Sequence, residues 1–180
     1  MNNKFKIPIK TVEKVIGKRL KRNTKVLGVD TASLTGWAII KTNTNYIEIN
    51  TGIINLKGLK NVNDRFDYLT TFFLDIIGEN TELIIEEAFV GINRQASLLL
   101  AKYGAIVYAA GRQAGAKNIA FITASSARKK VNIRGKQKKK EGAMLFVSKF
   151  INIKSEDVSD GIILALAGLV EEPKLGDYLK

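Results

Sequence analysis

The chain has 180 residues, and none of them is cysteine or histidine. Without cysteine there are no disulfides and no thiolate zinc sites. Without histidine there is no Ser-His-Asp triad, no imidazole metal ligand and no imidazole acid–base chemistry. Any metal must therefore bind oxygen, which points to Mg²⁺ or Mn²⁺. No apolar run approaches the ~18 residues that a membrane span requires. The first 25 residues lack an apolar h-region, so no secretory signal peptide is expected. There is no internal repeat and no low-complexity linker. What remains is a chain that is 46% apolar and 26% charged, long enough for one domain with a sizeable core.

The net charge of +12 is concentrated. Residues 1–25 carry nine Lys/Arg and one Glu, and residues 128–140 carry eight Lys/Arg and no acid. The other 142 residues hold 12 basic and 16 acidic side chains. A slightly acidic body with two basic attachments is the charge pattern of a phosphate-backbone binder. Solubility alone would scatter the charges and mix their signs. A membrane surface fits less well, because neither segment interleaves large aromatics with its lysines.

Residues 8–22 place Val12, Val15, Ile16 and Leu20 at helical spacing, which predicts a basic amphipathic helix ahead of the main domain. The expected division is a basic helical extension over 1–24 and a main domain over 25–180. Strands are expected at KVLGVD (25–30), TGWAII (35–40) and YIEINTGII (46–54), close enough for antiparallel hairpins. A helix follows at 61–79, a buried strand at 82–89, a helix at 93–113 and a strand at 118–123. Helices at about 138–151 and 155–171 close the chain. The order βββαβαβαα predicts an α/β fold, a five-stranded mixed sheet flanked by helices.

Three groups of acids stand out. Asp30 ends the first of these strands, Glu86 and Glu87 lie late in the fourth, and Asp157 and Asp160 open the last helix. Successive strand residues face opposite sides, so Glu86 and Glu87 cannot share a site. Asp157 and Asp160 share a helix face. Each acid has a plain structural explanation. Asp30 suits a turn, Glu86 or Glu87 a solvated strand end, and Asp157 the positive end of a helix behind an N-capping Ser155. Asp160 fits none of these, because it lies where IILALAGLV makes the helix apolar on every side. An ionised carboxylate there is costly unless it meets a cation. Carboxylates gathered from two strand ends and one helix repel each other unless divalent ions neutralise them.

Three stretches, VLGVDTASLTGWAII (26–40), LIIEEAFVGINRQASLLLAKYGAI (83–106) and EDVSDGIILALA (156–167), resemble in order and spacing the motifs of the RuvC-type Holliday junction resolvases. That family belongs to the ribonuclease H-like nucleases, and the resemblance implies their fold. It implies Asp30, Glu86, Asp157 and Asp160 as catalytic carboxylates and metal ligands, with two Mg²⁺ per site and Mn²⁺ as substitute. It implies Phe89 as an aromatic at the junction centre, with Asn93 and Arg94 beside it. Its basic DNA-contacting region corresponds to Arg128, Lys129, Lys130, Arg134, Lys136, Lys138, Lys139 and Lys140. It further implies a homodimer, with the small residues of 93–113 in the interface, acting on four-way DNA junctions in the cytoplasm of a bacterium or of a phage's host. The chain departs from the family in a shorter first turn without Pro-Gly, in Gly161 where alanine is usual, and in its N-terminal extension. The expected activity is junction nicking to leave 5′-phosphates. The alternatives are a nuclease with relaxed preference for forks and flaps, a junction-binding protein without catalysis, and a nuclease for RNA–DNA hybrids or RNA.

Overall fold

The computed structural model describes residues 3–88, 93–133 and 140–172, the side chains of 140 and 141 excepted. A mixed sheet holds β1 (Asn3–Pro8), β2 (Lys25–Asp30), β3 (Leu34–Thr42), β4 (Tyr46–Asn55), β5 (Thr81–Glu86) and β6 (Asn118–Ile122), in the order β1-β4-β3-β2-β5-β6. The meander β2–β3–β4 is antiparallel, as expected, while β5 and β6 add in parallel beside β2. The helices are α1 (Ile9–Ile16), α2 (Val62–Ile76), α3 (Arg94–Gln113), α4 (Ala124–Lys130), α5 (Lys140–Val147) and α6 (Glu156–Leu169).

The sheet has six strands where five were expected, and the sixth comes from the N-terminal segment. Asn3–Pro8 pairs antiparallel with β4, and the alternation Lys4-Phe5-Lys6-Ile7 sends Phe5 and Ile7 to the core. Pro8 ends the strand without costing a ladder hydrogen bond at an outer edge. The helix expected over 8–22 is confined to Ile9–Ile16, because Gly17 turns left-handed at φ 69° and its N–H caps the Glu13 carbonyl. Ile9, Val12 and Ile16 are buried. Beyond Gly17 the chain bends, and Leu20 forms a bridge with Val170 just past α6.

Two cores lie on the two faces of the sheet. On one, α6 covers β2, β3 and β5, joined by α1, α4 and α5. On the other, α2 and α3 pack over Leu27, Val29, Trp37, Ile39, Leu83 and Ile85. Helix α6 is buried nearly all round, as its sequence required, and it rests on the backbone of the hairpin itself. A Cβ at Gly36 would lie 1.9 Å from the Asp157 carbonyl oxygen, and one at Gly28 would lie 2.3 Å from both the Gly161 oxygen and the Ala165 nitrogen. At Gly161, the departure noted above, a Cβ would lie 3.0 Å from the Trp37 backbone. Glycine is needed at these positions for close approach, not for turns.

Candidate metal centre

Asp30 and Glu86 end neighbouring parallel strands, whose register pairs Val29 with Ile85. Both side chains project from the α6 face: Val26 and Ile84, of the same parity, lie in the α6 core. Glu87 is exposed, and its N–H donates to the Ile122 carbonyl, so of the two glutamates Glu86 is the one turned to the site. Helix α6 begins at the same end of the sheet. Ser155 caps it by accepting from the Val158 N–H, as expected, and the Asp157 carbonyl sits on Gly36, the cross-strand partner of Asp30.

The other three carboxylates act on Asp30. The Asp30 carboxyl is pushed up to about 9 from its ordinary 3.8, first by burial, then by the charge of Glu86 and of Asp160. A hydrogen bond with Glu86 and the charge of Asp157 add to the rise. Asp160 is met by a guanidinium: Arg128 Nη2 donates to Asp160 Oδ1 at 2.8 Å, with the two side chains only 15% and 13% exposed. That contact removes the puzzle of an acid at the head of an apolar helix, though with an arginine rather than a metal.

The donor set suits a hard divalent cation, being all oxygen and overcharged. Four carboxylates against one guanidinium leave three surplus negative charges, and the proton that Asp30 retains removes only one more. Among the described residues no group of three or more acids yet stands where it would grip one ion. The residues therefore fit such an ion in chemistry and in charge, while proton and arginine offset part of the excess.

A pH dependence follows from Asp30. The folded protein keeps a proton that the unfolded chain gives up above about pH 4, so the stabilisation is complete below that pH and is lost as pH rises towards 9. Melts in EDTA are expected to show the wild type and Asp30→Asn close together near pH 4 and the wild type progressively less stable than the variant up to pH 9. A constant gap between the two curves would contradict it.

The other predicted residues are dispersed. Phe89, Arg134, Lys136, Lys138 and Lys139 lie outside the described residues, as does the Lys140 side chain. Asn93 caps α3, its side chain accepting from the Ala96 N–H at 3.1 Å, and Arg94 is exposed beside it. Lys129 is exposed, and Lys130 pairs with Glu172 at 3.2 Å. Sequence reasoning missed α4, which carries Arg128 to the site; the visible signal was Thr123, which caps it by accepting from the Ser126 N–H. The N-terminal basic segment does not act as one surface. Lys18 donates to the Lys130 carbonyl, Lys21 pairs with Glu82 and Arg22 with Glu13. Lys4, Lys6 and Lys25 join Lys41 and Glu48 in a cleft of about 600 Å³. By strand parity this cleft lies on the sheet face away from the carboxylates.

A family model described as crossover junction endodeoxyribonuclease RuvC matches residues 26–168. Among solved structures, Thermus thermophilus RuvC superposes with a TM-score of 0.63 at 13% identity, over 80% of this chain and 92% of that one. T. thermophilus RuvC in complex with a Holliday junction substrate gives 0.64 at 11% identity, over 80% and 91%. No curated protein sequence matches.

Proposed function

The chain belongs to the RuvC family of crossover junction endodeoxyribonucleases, and from that premise we propose that it is a metal-dependent DNA endonuclease that nicks four-way junctions symmetrically. Its setting would be DNA recombination and repair in the cytoplasm of a bacterium, or of the host if the gene is a phage's. The observation that carries this reading is the mutual charge of Asp30, Glu86, Asp157 and Asp160 at one end of the sheet. A protein that only bound junctions would have no use for that destabilising concentration of acid. The similar T. thermophilus structure holds a Holliday junction substrate, and the same class of substrate is proposed here.

The four carboxylates would hold two Mg²⁺, or Mn²⁺ in its place. Bound there, the ions supply an activated water and neutralise charge on the scissile phosphate, giving 5′-phosphate and 3′-hydroxyl ends. The remaining work falls to the chain. The ends of β2 and β5 fix Asp30 and Glu86, and the seat of α6 on Gly28 and Gly36 fixes Asp157 and Asp160 against them. Lys129, Lys130 and the basic residues up to Lys140 contact backbone phosphates, as do Asn93 and Arg94, while Phe89 stacks at the junction centre. Residues 1–24 would extend a nuclease domain spanning 25–180 by adding β1 and α1 to its sheet and core, and a family match that begins at residue 26 supports this reading.

Symmetric nicking requires two sites, hence a homodimer. Helix α3 supports this with an exposed face: Leu98 is 62% and Tyr108 42% exposed, with Ala101 and Ala105 between them. Ala105→Glu is expected to give a folded monomer by sedimentation equilibrium, with paired nicking of the junction lost. A wild-type monomer at micromolar concentration would refute the dimer.

The decisive experiment is cleavage of a labelled mobile four-way junction across Mg²⁺ and Mn²⁺ concentrations. Paired nicks at symmetric positions are expected. No nicking with either ion would sink the nuclease reading. Equal cleavage of forks and flaps would favour the relaxed alternative, which the eight basic residues of 128–140 make physically reasonable because dense charge adds affinity without regard to structure. Preferential cleavage of an RNA–DNA hybrid would replace the substrate.

A further inference from the structure

Arg128 is the cation that Asp160 already has. Helix α4, capped by Thr123 directly after β6, lies against α6 and aims the Arg128 guanidinium at the carboxylate end of the sheet. A structural strut between two helices could sit anywhere along their contact. This one engages an acid whose charge reaches Asp30, on the side where Glu86 and Asp157 also act. Both partners are largely withdrawn from water, so separating them is costly unless each finds a replacement. A divalent ion is a replacement for Asp160, and a substrate phosphate is a replacement for Arg128, whose planar fork suits phosphate oxygens.

We infer that Arg128 is a positioning residue that competes with the divalent ion for Asp160, setting the metal affinity of the free protein, and that it transfers to a backbone phosphate when DNA is bound. The inference deepens the nuclease reading and rests on it. The exchange makes metal and DNA binding mutually supporting, since each releases a group that the other needs. The protein would load metal weakly off DNA and firmly on it.

The test measures Mn²⁺ binding by calorimetry and by electron paramagnetic resonance, without DNA and therefore without turnover. Arg128→Gln is expected to bind Mn²⁺ about tenfold more tightly than wild type, while its single-turnover nicking rate at saturating Mn²⁺ falls. A strut would lose both together. Arg128→Lys is expected to recover part of the nicking rate. In an Asp160→Asn background the effect of Arg128→Gln on Mn²⁺ affinity is expected to shrink at least threefold, because the contested carboxylate is gone. Addition of an uncleavable phosphorothioate junction is expected to tighten Mn²⁺ binding in wild type more than in Arg128→Gln. Unchanged or weaker Mn²⁺ binding by a folded Arg128→Gln protein overturns the inference, and so does equal tightening in the Asp160→Asn background. If Arg128→Gln does not fold, Arg128→Lys carries the same measurement and must also shift Mn²⁺ affinity. Wild type that binds no Mn²⁺ with or without junction sinks the nuclease reading itself, whereas normal wild-type binding with an indifferent variant sinks only this proposal.

Discussion

Asp30→Asn is expected to reduce junction nicking by at least about a thousandfold, ~4 kcal/mol of transition-state stabilisation, while junction affinity survives and the metal-free protein becomes more stable at neutral pH. The two effects share one cause. Asp30 is partly buried beside Glu86, Asp157 and Asp160, and its carboxyl is pushed up to about 9. Asparagine keeps the shape and removes the charge that has to be suppressed. The gain at pH 8 should be roughly 2 kcal/mol, since accommodation of a misplaced buried charge is only partial, which corresponds to roughly 4–8 °C in a chain of this size. The carboxylate that destabilises the apoprotein is the one that would bind the ion, so the stability cost is tied to activity. Thermal melts in EDTA and a junction assay on the same preparation check both halves. Full nicking by Asp30→Asn removes it from the catalytic set; a lower melting temperature at pH 8 refutes the electrostatic account.

Gly36→Ala is expected to be the most damaging single methyl group in the protein. Its Cβ would be 1.9 Å from the Asp157 carbonyl oxygen, an overlap with backbone that no rotamer can relieve. Helix α6 would have to lift off the hairpin at the turn carrying Asp157 and Asp160. The cost should be about 3 kcal/mol, the upper end for overpacking, or roughly 6–12 °C, with nicking lost even well below the melting temperature. Gly28→Ala should be comparable, with contacts of 2.3 Å to α6 backbone. Gly161→Ala, at 3.0 Å from the Trp37 backbone, should cost only about 1 kcal/mol. That order of severity, read by denaturant unfolding, tests whether α6 is seated on backbone. A wild-type melting temperature for Gly36→Ala would refute it.

The sheet and the acids were legible in the sequence because they depend on local patterns. KVLGVD and ELIIEE are apolar runs that end in acids; strand parity put Glu86 and Glu87 on opposite faces, and the family resemblance pointed to Glu86. Strand β1 was missed although Lys4-Phe5-Lys6-Ile7 alternates, because the helical spacing that follows from Val12 dominated the reading of that segment. Helix α4 was hidden inside a run of charge. The Arg128–Asp160 contact joins residues 32 positions apart and leaves no local trace. The glycine seat was half visible: Gly28 inside an otherwise apolar strand signals close approach of another backbone, but nothing in the hairpin says that the approaching element is α6.

The packing of α6 also fixes when the centre can exist during synthesis. Its N-terminal turn supplies half of the carboxylates, and just past its other end Val170 bridges to Leu20 while the Lys21 N–H donates to Leu169 at 2.8 Å. A ribosome-bound chain that stops short of residue 156 has neither helix carboxylate and no clasp on its beginning. The four carboxylates thus come together only after residue 160 has emerged. Pairings this distant in sequence form slowly. Translation itself keeps the two halves of the proposed centre apart until the head of α6 has been made.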